Sequence, residues 1–370
     1  MFEKRVLSTH FYYCLFVKYK TFRNFAHGNS NTDFAMKNIL VIYTGGTIGM
    51  VKDSVTGALK PFDMHRIYEV LPVLKKIDCN IETYQCNPII DSSDMNADKW
   101  LLFASLIQEN YSKYDGFVIL HGTDTMSYTA SALSFLLKNL SKPVIITGSQ
   151  LPLGMIRTDG RDNIISAVEI AANNEIVIPE VCIFFDNKLY RGNRTTKINA
   201  EYFEAFYSGN LPSLAKVGIN ISYKQHLILP QPSEDFSIYN QLCKDVIIMK
   251  IHPAISKEYL DAISNIPNLK GIVMETYGSG NAPTKDFFLQ GIKQIIDKGV
   301  VIMNVTQCKA GSVEMGHYQA SCDLRDMGVI SGKDITTEAA LAKMMFVLGN
   351  FNDKDKQKQL LQSNLRGEIS

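Results

Sequence analysis

The sequence lacks an excess of charge, long apolar runs and paired cysteines, which are features of nucleic-acid-binding, membrane and disulfide-rich proteins. Its 38 basic and 37 acidic residues give a net charge of +1, which indicates no surface for nucleic acid or membrane. No apolar run reaches the roughly 18–20 residues that a membrane-spanning helix needs. The seven cysteines are scattered, odd in number and without a CxxC pair. This usage is typical of free thiols in a reducing compartment and not of a disulfide framework or a zinc site.

The chain is long enough for two domains, but its first segment differs from the rest. A length of 370 residues with 46% hydrophobic content can bury a large core. The stretch "HFYYCLFVKY" near the start is aromatic, is followed by charged residues and lacks the small-residue cleavage site of a secretory signal. We interpret residues 1–35 as an N-terminal extension, either disordered or upstream of a true start at Met36, and exclude them from the fold.

Short apolar runs alternate with helical patterns from Met36 onward. Strands buried on both faces are predicted at 39–43, 117–120, 144–147 and 181–185. A helix is predicted at 124–138, with Asp124 as its N-cap. Alternation of this kind favours a mostly parallel sheet covered on both sides.

A polar, proline-containing stretch at 229–241 interrupts this rhythm and is typical of a linker. Further strands are predicted at 246–251, 271–275 and 300–305, and further helices at 256–264, 286–298 and 336–348. We therefore predict an α/β protein of two domains with mostly parallel sheets. Its predicted parts are a larger N-terminal domain at 36–228, a linker at 229–244 and a smaller C-terminal domain at 245–370.

Polar residues follow several of these strands, where ligands bind in open parallel sheets. They occur in four loops: "TGGT" (44–47), "DSSDM" (91–95), "HGTDT" (121–125) and "RGNRTTK" (191–197). A threonine hydroxyl is a poor nucleophile until a neighbouring base accepts its proton, and an Asp–Lys pair beside a hydroxyl can supply such a relay. Thr123, Asp124 and Lys197 could form it, with Thr47 opposite. The adjacent glycines would let backbone N–H groups reach a developing oxyanion, so the pattern indicates acyl transfer or amide hydrolysis.

Each motif taken alone has a simpler interpretation. "TGGT" could be a tight turn, although neither the G-x-G-x-x-G nor the G-x-x-x-x-G-K pattern of nucleotide sites is present. Asp124 could be only a helix cap, Lys197 a solvated charge or phosphate contact, and His121 a packed core residue. The serines of "DSSD" could be turn formers. No cluster has metal-ligand spacing, so we expect neither a metal nor a cofactor.

Taken together, the motifs closely resemble the bacterial type I (cytoplasmic) L-asparaginases. The resemblance is carried in order by "YTGGTIGM", "DSSDM", "GFVILHGTDTMSYTASALSF", "KPVIITGSQLPL", "LYRGNRTTK", "YGSGNAP", "TQC" and "NLRGE". These matches extend from about Met36 to Glu368. The resemblance implies hydrolysis of L-asparagine to L-aspartate and ammonia through a threonine acyl-enzyme, in a cytoplasmic homotetramer built as a dimer of dimers.

The resemblance also implies roles for individual residues. Thr47 would be the nucleophile, and Thr123, Asp124 and Lys197 would be the other catalytic residues. The α-carboxylate and α-amino group of the substrate would be held by Asp91, Ser92, Ser93 and Asp124, with Asn281 reaching in from a neighbouring subunit.

Two positions depart from the family pattern. The loop "TGALKPF" (56–62) lacks the tyrosine that assists the nucleophile in many members. Glu275 stands where some type I members have an arginine that binds an asparagine effector, so we expect no activation by asparagine. The alternative functions are a dual asparaginase-glutaminase, the amidase subunit of a tRNA-dependent amidotransferase and, from another class, a non-catalytic amino-acid sensor.

Overall fold

The computed structural model describes residues 36–52, 57, 59–316 and 319–370. The expected extension at 1–35 and positions 56 and 58 of the "TGALKPF" loop therefore lie outside the described residues. Residues Met36–Ser370 belong to one compact unit, and the division into domains around 229–244 stays a prediction.

An eight-stranded sheet forms the larger part of the fold. Its strands in chain order are β1 (Lys37–Tyr43), β2 (Cys79–Gln85), β3 (Gly116–Leu120), β4 (Val144–Thr147), β5 (Val181–Phe185), β6 (Lys188–Arg191), β7 (Ala215–Val217) and β8 (Ile221–Tyr223). Their spatial order is β8-β7-β6-β5-β4-β3-β1-β2. The strands from β5 to β2 run parallel, and β6, β7 and β8 extend the sheet by antiparallel pairing.

A second sheet has four parallel strands. They are β9 (Val246–Lys250), β10 (Gly271–Thr276), β11 (Val301–Thr306) and β12 (Ile330–Ser331), in that spatial order. The predicted α/β class with mostly parallel sheets, one larger and one smaller, is confirmed. The central strands β3, β4 and β5 are buried at every position, because helices cover both faces of the sheet.

Eight helices of at least eight residues occur in the described part of the chain. They are α1 (Ala97–Asn110), α2 (Met126–Leu136), α3 (Gly160–Ala171), α4 (Lys257–Ser264), α5 (Asp286–Asp297), α6 (Gln319–Asp326), α7 (Thr337–Asn350) and α8 (Lys354–Gln362). A shorter helix occupies Ile67–Val70. None of the helices in the described residues is long and apolar enough to cross a membrane.

Helix α7 joins the two sheets. It contacts β9 and β10 on one side and α2 on the other. Phe135 of α2 and Phe346 of α7 stack with their ring centroids 5.8 Å apart. One continuous apolar core therefore includes residues from both sheets.

Three short strand pairs complete the structure. Met50–Lys52 pairs with Leu59–Pro61, Leu137–Lys138 with Ser237–Ile238, and Thr196–Lys197 with Phe206–Tyr207. Ser237–Ile238 lies in the stretch expected to be a linker. This stretch is therefore hydrogen-bonded to the two residues that follow α2. The third pair ends in Lys197.

Candidate active site

The site-forming loops lie at a switch point of the eight-stranded sheet. The chain passes from β1 to β2 on one side, and β3 then pairs with the other side of β1. At such a point the loops after adjacent strands diverge and leave a crevice at the carboxyl ends of the strands. The "TGGT" loop follows β1 and the "HGTDT" loop follows β3, so both border this crevice.

Two glycines let the "TGGT" loop approach its neighbours. Gly45 and Gly46 have φ angles of 144° and 87°, which side-chain-bearing residues rarely adopt. A Cβ on Gly45 would lie 2.0 Å from the Ile90 carbonyl oxygen, and one on Gly46 would lie 2.5 Å from the Gly122 Cα. Thr47, which follows, is half-buried and begins a short 3₁₀ helix (Thr47–Gly49). Close backbone contact therefore brings Thr47 beside the "HGTDT" loop.

His121 is a packed residue beneath that loop. Its ring is fully buried, and Nδ1 lies 2.6 Å from the Gly122 carbonyl oxygen. Trp100 Nε1 donates to Thr129 Oγ1 at 3.0 Å, which leaves the Thr129 hydroxyl proton for His121 Nε2 at 3.0 Å. The ring is thus neutral with its proton on Nδ1, and burial lowers the pKa of His121 to about 4.

Lys197 joins the two polar side chains that follow Gly122. Its Nζ donates to Thr123 Oγ1 at 2.8 Å and to Asp124 Oδ1 at 2.8 Å. Asp124 does not cap α2 as predicted: the N-cap residue is Thr125, without a side-chain capping bond. The Asp124 carboxylate instead pairs with Lys197, which a pattern confined to the helix could not show.

The "DSSD" loop lies against the same glycine. A Cβ on Gly122 would lie 2.3 Å from Ser92 Oγ, and Thr125 Oγ1 donates to the Ser92 carbonyl oxygen at 2.7 Å. Asp91 accepts hydrogen bonds from the backbone N–H and the hydroxyl of Ser93, both at 2.9 Å. These bonds lower the pKa of the Asp91 carboxyl, so it carries its charge at neutral pH.

The predicted site residues from the four loops thus gather at one edge of the sheet. Asn281 lies apart, in the loop after β10, where it forms an antiparallel bridge with Tyr277. Sequence reasoning missed two nearby residues, Thr129 and Trp100, which support His121 through the bonds described above. Their only sequence signal is polar or aromatic character on helices that otherwise contribute to the core.

A switch-point crevice that holds threonine hydroxyls, an Asp–Lys pair and charged carboxylates defines an α/β enzyme suited to attack on a small polar carbonyl compound. Two family profiles match the chain: "Asparaginase, N-terminal" over residues 38–229 and "Glutaminase/Asparaginase C-terminal domain" over residues 245–361. The chain belongs to the asparaginase family, as the sequence motifs indicated.

Individual relatives agree with this assignment. The chain is 41% identical to L-asparaginase 1 of Escherichia coli, over 90% of this chain and 98% of the relative. It is 40% identical to a 60 kDa lysophospholipase of Mus musculus, of which it covers 63%. The crystal structure of L-asparaginase I from Vibrio cholerae superimposes with a TM-score of 0.82 at 42% identity, over 91% of this chain and 100% of that one.

Proposed function

We propose that this enzyme hydrolyses L-asparagine to L-aspartate and ammonia through an acyl-enzyme on Thr47. The family assignment supports the reaction, and asparaginases of similar length favour it over the amidotransferase, glutaminase and sensor alternatives. The observation that carries the mechanism is the position of Lys197 Nζ, 2.8 Å from both Thr123 Oγ1 and Asp124 Oδ1. A sensor would need the substrate clamps but not this relay.

In the proposed acylation step, Thr47 Oγ1 attacks the side-chain amide carbon of asparagine, and its proton passes through Thr123 and Lys197 to the leaving nitrogen. Backbone N–H groups of the "TGGT" loop stabilise the oxyanion in this proposal. The C–N bond then breaks, and the leaving nitrogen departs as ammonia after taking up a proton.

In the second step, water attacks the ester and releases L-aspartate and free Thr47. Thr123, Asp124 and Lys197 form the proposed proton relay. Lys197 Nζ lies within hydrogen-bond distance of both Thr123 Oγ1 and Asp124 Oδ1, so these groups can pass a proton among them. The step therefore draws on groups of this chain, with no added cofactor.

The substrate's charged groups fit the surrounding loops. The ionised Asp91 carboxylate and Asp124 would attract the α-ammonium group, and Ser92 would donate to the α-carboxylate. Ser93 would hold the Asp91 carboxylate in place through its hydroxyl. Asn281 would reach the site from a neighbouring subunit.

We also propose a cytoplasmic homotetramer built as a dimer of dimers. Support comes from exposed apolar side chains on two adjoining loops. Ile156 is 99% exposed and Tyr202 67% exposed, and Gln150 Nε2 donates to the Tyr202 carbonyl oxygen at 3.1 Å. Contacts between subunits would cover these exposed side chains.

The first prediction tests the nucleophile. Thr47→Ala should lower asparagine turnover by about three orders of magnitude or more, because the covalent route is lost. Thr47→Ser, which keeps the hydroxyl, is the matched control and should retain measurable turnover. The measurement is ammonia release with asparagine and, separately, with glutamine. Turnover by Thr47→Ala within tenfold of the unmodified enzyme would remove Thr47 from this role.

A further inference from the structure

The segment that carries Lys197 is anchored by residues far along the chain. Arg191 Nη1 donates to the Gly367 carbonyl oxygen at 3.3 Å, and Asn193 Nδ2 donates to the Arg366 carbonyl oxygen at 3.0 Å. Arg194 donates to the Glu368 carbonyl oxygen and pairs with Asp334, both at 2.7 Å. The position of the segment thus depends on residues beyond the eight-stranded sheet.

The anchor nearest to Lys197 is a single hydrogen bond. Thr196 Oγ1 donates to Glu338 Oε1 at 2.5 Å. Thr196 is 5% exposed, and burial raises the pKa of the Glu338 carboxyl while the bond from Thr196 opposes that rise. Successive side chains of a strand point to opposite sides, so the direction of Thr196 fixes the direction of Lys197. The two-residue strand Thr196–Lys197 is too short to do this through its own pairing.

Helix α7, which carries Glu338, also supports the loop that carries Thr123 and Asp124. It packs against α2, and α2 begins two residues after Asp124. Thr336 caps α7 by accepting from the Ala339 N–H at 3.2 Å, which fixes the turn that holds Glu338. One helix therefore sets the positions of Lys197 and of the loop with Thr123 relative to each other.

We propose that Glu338 is a positioning residue that acts through Thr196 to hold the Lys197 amine against Thr123 and Asp124. The inference rests on the proposed role of Lys197. Neither Glu338 nor Thr196 bonds to Thr123 or Asp124, so their loss should act through geometry. A displacement of about 1 Å in a catalytic group can lower turnover about 100-fold.

The test separates positioning from general stability. Thr196→Val and Glu338→Ala should each lower kcat about 10- to 100-fold and leave KM for asparagine within about threefold, because the substrate clamps lie on other loops. Thr196→Ser and Glu338→Gln keep the donor and the acceptor and should restore most of kcat. The double variant Thr196→Val/Glu338→Ala should be no slower than its slower parent, because both changes break one connection.

Thr337→Val is the matched control. The Thr337 hydroxyl lies on the same turn and donates to Glu275 Oε1 at 2.6 Å, so its loss removes the same type of bond without touching the Lys197 segment. It should lower Tm as much as Thr196→Val does and leave kcat unchanged. Equal kcat values for Thr196→Val and Thr337→Val would overturn the inference. If Glu338→Ala does not fold, the comparison of Thr196→Val with Thr196→Ser decides alone.

Lys197→Met distinguishes failure of this inference from failure of the proposed function. Retained turnover in Lys197→Met would contradict the relay itself. Loss of turnover in Lys197→Met, together with normal kcat in Thr196→Val and Glu338→Ala, would contradict only the positioning role.

Discussion

His121 lies under the loop that carries Thr123, and both nitrogens of its ring are used. Nδ1 donates to the Gly122 carbonyl oxygen, and Nε2 accepts from Thr129. A second proton on Nε2 would displace the bond from the Thr129 hydroxyl and place a charge on a fully buried ring. The loop geometry therefore requires a neutral imidazole.

This requirement predicts a loss of stability in mild acid. The pKa of His121 falls from about 6.5 in the unfolded chain to about 4 in the folded one. The neutral ring therefore makes its full contribution to the free energy of unfolding above pH 6.5, and this contribution is lost as pH falls toward 4. Between pH 7 and pH 5 the loss should be about 2 kcal/mol. His121→Asn keeps a donor toward Gly122 and does not titrate. Its free energy of unfolding, measured with urea, should fall correspondingly less over this range; equal losses would contradict the prediction.

At the scale of elements, the stretch expected to be a linker packs against the core. Phe236 stacks on Tyr111 of the turn after α1, with ring centroids 3.6 Å apart. Lys142 covers the Tyr111 ring with its ammonium group at 4.7 Å, and Ser237–Ile238 pairs with Leu137–Lys138. Aromatic stacking and strand pairing thus fix the path between the two sheets.

Phe236→Ala should lower the stability of the protein by about 2 kcal/mol, because a half-buried ring and its stacking partner lose contact. Phe236→Leu keeps apolar area but removes the aromatic stack, and it should lose less stability than Phe236→Ala. The measurement is the midpoint of thermal unfolding, with asparagine turnover recorded below it. Unchanged midpoints in both variants would show that the stretch contributes nothing to stability.

The sequence allowed the elements with strong local patterns to be predicted. The strands of continuous apolar runs and the helices at 256–264, 286–298 and 336–348 lie within a few residues of their predicted bounds. Strand β2 (CNIETYQ) was missed because it lies at the edge of the sheet and is partly polar. Helix α1 was missed as well, although Asn96 caps it.

The polar loops, with Thr123, Asp124 and Lys197 as a candidate relay, could be predicted as a group, but the bond from Thr196 to Glu338 could not. Lys197 and Asp124 are 73 residues apart, and Thr196 and Glu338 are 142 apart. No local pattern relates positions at such distances. Asp124 was expected both as a helix cap and as the partner of Lys197, and in the structure it pairs with Lys197 and does not cap α2.

At the scale of the whole molecule, buried charge holds the last residues of the chain in place. Lys343 of α7 and Glu368 are both fully buried, and they pair at 2.6 Å. Glu368 also accepts from the backbone N–H groups of Leu365 and Arg366. Since the Arg366, Gly367 and Glu368 carbonyl oxygens receive the side chains of the Lys197 segment, this pair supports the site from a distance.

Lys343→Met should destabilise the protein by about 3–5 kcal/mol, because it leaves the Glu368 carboxylate buried without its cation. Adding Glu368→Gln should recover part of the loss, since the amide oxygen can still accept from the backbone. Urea unfolding of the two variants provides the comparison. A double variant less stable than Lys343→Met alone would contradict this view of the pair.

Glu275 determines whether asparagine can bind at a second, regulatory site. Its carboxylate accepts a hydrogen bond from Thr337 at 2.6 Å and lies 3.9 Å from Lys250. This position therefore holds a carboxylate that already has partners, where some family members have an arginine that binds the effector. A second asparagine would meet repulsion between carboxylates there. We expect a hyperbolic dependence of rate on asparagine concentration; a Hill coefficient clearly above one would contradict it.

The anchoring of the Lys197 segment has a consequence for the timing of synthesis. Arg194 finds its acceptor on Glu368, 174 residues later in the chain. At about 5–20 residues per second, a ribosome makes that residue roughly 10 to 35 seconds after Arg194. Through this interval the nascent chain lacks the groups that orient its lysine. Catalysis should therefore begin only after the last residues of the chain have been made.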